Sequence, residues 1–150
     1  MTSWVLVAQL AASAAMAAIA WFVQVVHYPL FASLSGDSAL ERRYHQANVR
    51  RTQPVVLVPM FVEGLAAAWL VAFPPAAVGR PLALAGLALV AVTLLSTLVL
   101  QVPLHERLCR EGSAPATVAA LVRGTTIRTV AWTARMLLSA WMLHAALGAA

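Results

Sequence analysis

Four stretches of this chain are long and apolar enough to be read as membrane spans, and the segments between them hold most of the charge. They cover residues of about 4–30, 54–73, 81–105 and 126–147, each near the roughly 20 residues that a spanning helix requires. Composition agrees. Of the 150 residues 62% are apolar and 10% charged, and the mean hydropathy is +0.84. A soluble domain has about half its residues apolar and about a quarter charged, so this chain cannot clothe a soluble surface. The expectation is a single all-α domain over residues 1–150, an integral membrane four-helix bundle.

All ten basic residues are Arg. The net charge of +5 does not point to nucleic acid, because no basic stretch is interleaved with aromatics in a soluble fold. Cys109 is the one cysteine, which excludes an intrachain disulfide and a Cys-x-x-Cys pair. The apolar run that begins at Trp4 is too long for a signal peptide and reads as a retained first span. Residues 35–53 carry Arg42, Arg43, Arg50 and Arg51, and residues 106–125 carry Arg107, Arg110 and Arg123, whereas 74–80 carry only Arg80. Basic loops stay in the cytoplasm. The reading is therefore a multi-pass protein of a bacterial inner membrane, with its first and third loops inside and both termini outside.

The first loop has helical character. Gly36-Asp37-Ser38 is a helix start with Asp37 as its cap. From residue 39 to 51, Glu41 with His45 and Tyr44 with Asn48 fall at i,i+4, so each pair shares a face. The spacing predicts a short cytoplasmic helix that continues toward the second span, which Pro54 opens. In the third loop Ser113-Ala114-Pro115 opens a second short helix over 116–123. The two halves also echo each other: Gln24-Val-Val-His27-Tyr-Pro29 closes the first span, and Gln101-Val-Pro103-Leu-His105 closes the third.

Ionisable groups inside spans are costly and face the protein interior. Glu63 is nine residues beyond Pro54 and Arg135 nine beyond Thr126. Both therefore lie roughly 13 Å from the same membrane face, which makes them partners. Such a pair either fixes helix register, or Glu63 is a metal ligand or proton acceptor that Arg135 tunes. Arg128, Trp132 and Arg135 recur at i, i+4 and i+7 and form one stripe. Arg128 alone could snorkel to the interface; the Arg pair could instead grip an anionic or quinone-like group with its planar forks. His144 is interfacial. His27 and His105 end two spans on one side, with His45 in the adjoining loop helix. With Glu63 these three His form an N/O set of the kind that binds Fe, Cu or Zn, although no Glu-x-x-His or His-Glu-x-x-His motif is present. Haem b between His27 and His105 is the lesser cofactor reading.

The same residues carry a resemblance. His27-Tyr28-Pro29, Tyr44 with Arg50-Arg51, Pro59, Glu63, Gln101-Val-Pro-Leu-His105 and Ile127-Arg128-Thr-Val-Ala-Trp132-Thr-Ala-Arg135 resemble a family of small, uncharacterised bacterial four-span membrane proteins, over nearly the whole chain. It looks like a distant relative of the anthrone-oxygenase-like membrane proteins, which share four spans of this length, a His or Asn near span ends and an Arg-Thr pair in the last span. That resemblance implies oxygenation of a polycyclic substrate to a quinone. The first-span ending and Gln-Val-Pro-x-His depart from the anthrone group, so its substrate does not carry over.

The expected function is a membrane-embedded redox enzyme, oxygenase- or oxidase-like, with its site near the cytoplasmic face. Glu63, His45, Arg128 and Arg135 are its candidate catalytic residues. Tyr44, Gln101 and Trp132 are candidate substrate contacts, and His27, His45, His105 and Glu63 the candidate metal set. Its partners are the bilayer, a lipophilic small molecule and a second copy of the chain, and the Ala-rich first span offers small faces for close helix approach. The rivals are a haem-binding membrane protein and a non-enzymatic helix-bundle or transporter subunit.

Overall fold

The computed structural model describes residues 2–34 and 38–148, and every regular element among them is helical. Helix α1, Thr2–Phe22, runs on through a π-helical turn, Val23–His27, a single α turn, α2, Tyr28–Leu30, and a 3-10 turn, Phe31–Ser33. Helix α3 covers Ser38–Ala72 and α4 covers Gly79–Ser96. A second π-helical turn, Thr97–Gln101, joins α4 to α5, Val102–Glu111, and α6 covers Pro115–Gly148. The expected cap, Asp37, lies outside the described residues.

Both π turns have one local cause. Each ends two residues before a proline, Pro29 in one case and Pro103 in the other. A proline ring has no N–H and clashes with the carbonyl four residues earlier. Widening the preceding turn relieves that clash and keeps the chain helical, as in π-bulges generally. Aligned on their prolines, the two halves match His27 with Gln101. The sequence echo of His27 with His105 is therefore offset from the structural one.

Two expected boundaries move. The second span does not open at Pro54: α3 passes through Pro54 and Pro59 without a break. The loop helix over 39–51 and that span are one helix of 35 residues. Likewise the short helix over 116–123 and the fourth span are fused in α6, in spite of Gly124. That glycine is there for close approach, since a Cβ at Gly124 would stand 3.0 Å from the Gln101 Nε2 on the neighbouring helix.

Helix α1 packs on α6 and α3, and α4 packs on the same two helices. Gln9 meets Ser139 while Gln24 meets Thr126, so α1 and α6 are antiparallel. Three apolar clusters stack along the axis. Val23, Tyr28, Phe31, Leu108, Val118 and Leu121 close one end, and Leu6, Leu70, Val78, Ala83 and Met142 the other. Met16, Ala17, Ala20 and Trp132 lie between them. The turn of α5 into α6 is tied to α3: Gly112 adopts φ 84°, and the Ser113 amide donates to Glu41 Oε2 at 2.7 Å.

The outer faces are apolar. Val58, Phe61, Leu98, Val99 and Val130 are each more than 60% exposed, while Gln9, Ser13, Glu63, Thr93 and Gln101 are at most 1% exposed. This inversion of the soluble pattern fits a protein that lives in lipid. Among the described residues three helical stretches, Ser3–Ser33, Ser38–Ala72 and Gly79–Glu111, are long and apolar enough to cross a membrane. Helix α6 is long enough yet is not one of the three. It carries Arg123, Arg128 and Arg135 and five Thr within its 34 residues.

Candidate ligand cavity

A cavity of about 480 Å³ opens among α1, α3, α5 and α6, at the end of the molecule that carries the Arg-rich turns. That volume lies within the range of small-molecule sites. The first and last residues of both π turns line it: Val23 and His27, Thr97 and Gln101. Helix α3 contributes Asn48, Thr52, Val56 and Met60, and α5 contributes His105 and Cys109. Its polar wall is continuous around Tyr28, His105 and Arg128; Ile19, Val56, Met60 and Val102 form the apolar wall.

Arg128 reaches the cavity from α6 and is only 7% exposed. Among the described residues it forms no ion pair; Glu63 with Arg135 is the one buried pair. Its guanidinium stands beside the Tyr28 hydroxyl, and that hydroxyl lies 3.0 Å from His105 Nε2. A guanidinium can only donate. Tyr28 and His105 are joined by one hydrogen bond whose direction follows the His105 tautomer. On the facing side His27 Nε2 lies 3.0 Å from Asn48 Oδ1, and Thr52 Oγ1 donates to the same oxygen at 3.4 Å. Gln101 is held by Thr125, whose hydroxyl donates to Gln101 Oε1 at 2.9 Å.

The structure thus brings together His27, His105, Gln101 and Arg128 of the expected residues. The others lie elsewhere. His45 is fully buried behind the cavity, 2.9 Å from the Ser113 hydroxyl and edge-on to Phe31. Tyr44 is 41% exposed and packs edge-on to Phe31 and His45. Trp132 is buried in the central cluster. Glu63 and Arg135 pair deeper still, with Arg135 Nε donating to Glu63 Oε1 at 2.7 Å. Tyr28, Asn48 and Thr52 belong to the cavity and are not among the expected contacts. The i,i+4 pairing of Tyr44 with Asn48 carried part of that signal, but it pointed to the tyrosine.

The expected metal set is divided among four separate partners. His27 faces Asn48, His45 faces Ser113, His105 faces Tyr28, and Glu63 is held by Arg135. Among the described residues no three of His, Cys, Asp and Glu are grouped so as to hold a metal ion. Haem ligation by His27 and His105 fits no better, since the Nε2 atoms that would bind iron are both committed to Asn48 and Tyr28. The side chains of this cavity fit neither group.

Compared with known protein families, with curated proteins and with solved structures, the chain gives no match.

Proposed function

We propose that the chain is a four-helix membrane bundle that binds a lipophilic small molecule with an electron-rich polar head in this cavity, and acts on it as an oxidoreductase. One observation carries the binding reading: nearly buried Arg128 lines a cavity and, although Glu106 and Arg110 line it too, has no carboxylate within ion-pair distance among the described residues. An unpaired charge out of water is expensive. A phenolate, enolate, quinone or carboxylate head beside Arg128 supplies the missing acceptor, and the apolar wall takes the body of the ligand. Gln53 of α3 and Val102 of α5 both line the cavity and are exposed, which supports entry of a ligand from the bilayer between these helices. The positive-inside bias places this end in the cytoplasmic leaflet.

The redox part draws on the resemblance, and the site offers it proton handling. Tyr28 and His105 form a hydrogen-bonded acid–base pair against the Arg128 position, which suits a substrate that loses protons as it is oxidised. With a lipophilic hydroquinone and dioxygen, two electrons and two protons leave the substrate, giving the quinone and hydrogen peroxide. The chain's own share is to bind the head at Arg128 and relay a proton through Tyr28 and His105.

The test uses the full chain in lipid vesicles with a long-chain hydroquinone and its quinone as probes. Binding of both probes, with oxygen uptake from the hydroquinone alone, is expected, and both are lost in Arg128→Gln. Binding without oxygen uptake identifies a carrier or binding subunit instead. No binding of either probe contradicts the cavity reading itself.

A further inference from the structure

Helices α3 and α6 stand across a diagonal of the fold, each packed on α1 and α4. Glu63 and Arg135 bridge that diagonal through a single contact, Arg135 Nε to Glu63 Oε1. The remaining polar atoms of the pair, Arg135 Nη1 and Nη2 and Glu63 Oε2, are buried and have no hydrogen-bond partner among the described residues. Both residues are at most 1% exposed. Buried polar atoms are almost always satisfied, and a charged pair left half satisfied is costly.

The chemistry of these atoms selects their partner. Two amino groups offer only N–H donors, and one carboxylate oxygen offers only acceptor sites. A bound anion would satisfy the donors but be repelled by Glu63. A bound cation would satisfy the oxygen but be repelled by Arg135. Water both donates and accepts, and it bridges the two kinds of atom without adding charge to a neutral pair. The sequence also seats the guanidinium directly against the α4 backbone. A Cβ at Gly86 of α4 would overlap Arg135 Nη1, so any larger residue would displace the guanidinium.

We propose that the Glu63–Arg135 pair is an internal water-binding site, with water bridging Arg135 Nη1 or Nη2 to Glu63 Oε2. The site is separate from the ligand cavity and does not depend on it. Neither Glu63 nor Arg135 lines that cavity. The bridging water keeps the pair ionised at the centre of the fold.

Two measurements test this. The first is an experimental structure of the full chain at a resolution that shows ordered water, from crystals with and without bromide. Water within about 3 Å of an Arg135 amino group and of Glu63 Oε2 is expected. A bromide peak at Arg135, or direct protein acceptors on both amino groups, overturns the proposal. The second is infrared spectroscopy of the chain in lipid films, with ordinary or oxygen-18 water. A water O–H band that shifts with the isotope is expected in the native chain and lost or displaced in Glu63→Gln. This conservative change leaves the side-chain size intact, and an identical isotope-sensitive spectrum in the variant overturns the proposal.

Discussion

Glu63 and Arg135 show how a buried charge depends on its partner. Each alone would be an uncompensated ion in the core, a loss of about 3–5 kcal/mol. Glu63→Gln and Arg135→Met should therefore each destabilise the chain more than the double change, measured by reversible unfolding in detergent; additive losses would sink the pairing. Gly112 sets a different constraint. Its φ of 84° is strained for any side chain, and an added Cβ would meet Glu41 Oε2. Gly112→Ala should cost more than about 1 kcal/mol in the same assay, whereas Gly64→Ala, where a Cβ meets nothing within 4 Å, should be neutral or stabilising. Matched depth along two helices was enough to read the Glu63–Arg135 pair from sequence. The partners of the histidines were not legible, because Asn48, Tyr28 and Ser113 reach them across helices whose rotation no single-helix pattern fixes.

At the scale of elements, the π turns place the cavity. They bring His27 and Gln101 to facing walls, and both rest on a proline two residues later. Pro103→Ala removes the clash with the residue 99 carbonyl, so the turn should relax to ordinary α-helix. The expected outcome is slower amide hydrogen exchange over residues 97–101 and weaker ligand binding, because Gln101 and the side chains before it rotate relative to α6. Unchanged exchange would show that the π turn has another cause. The apolar runs predicted where the long helices lie, and their continuity was less legible. Pro54 read as the opening of the second span and residues 116–123 as a helix separate from the fourth, yet packing against neighbouring helices carries α3 and α6 through as single helices. The repeat of Gln, His and Pro was visible in sequence, but aligned on the prolines that both π turns precede it matches His27 with Gln101 and not with His105.

The whole molecule combines a polar interior, an apolar exterior and an Arg-rich end. Under the proposed orientation, cysteines introduced at Arg51 and Arg110 should be labelled only from the cytoplasmic side of sealed vesicles, in a background without Cys109, and one at Gly79 only from outside. The reverse pattern would move the cavity to the outer face. The proposed ligand binding rests on Arg128, a nearly buried cation with no carboxylate within ion-pair distance among the described residues. Its most direct test is calorimetric titration of a long-chain quinone or lipophilic phenol into the detergent-solubilised chain, native and Arg128→Gln. The native chain should bind, and the variant should bind at least about tenfold more weakly, roughly 1.4 kcal/mol, at a melting temperature no lower than that of the native chain. Equal affinity in the two proteins would contradict a role for Arg128 in holding the ligand.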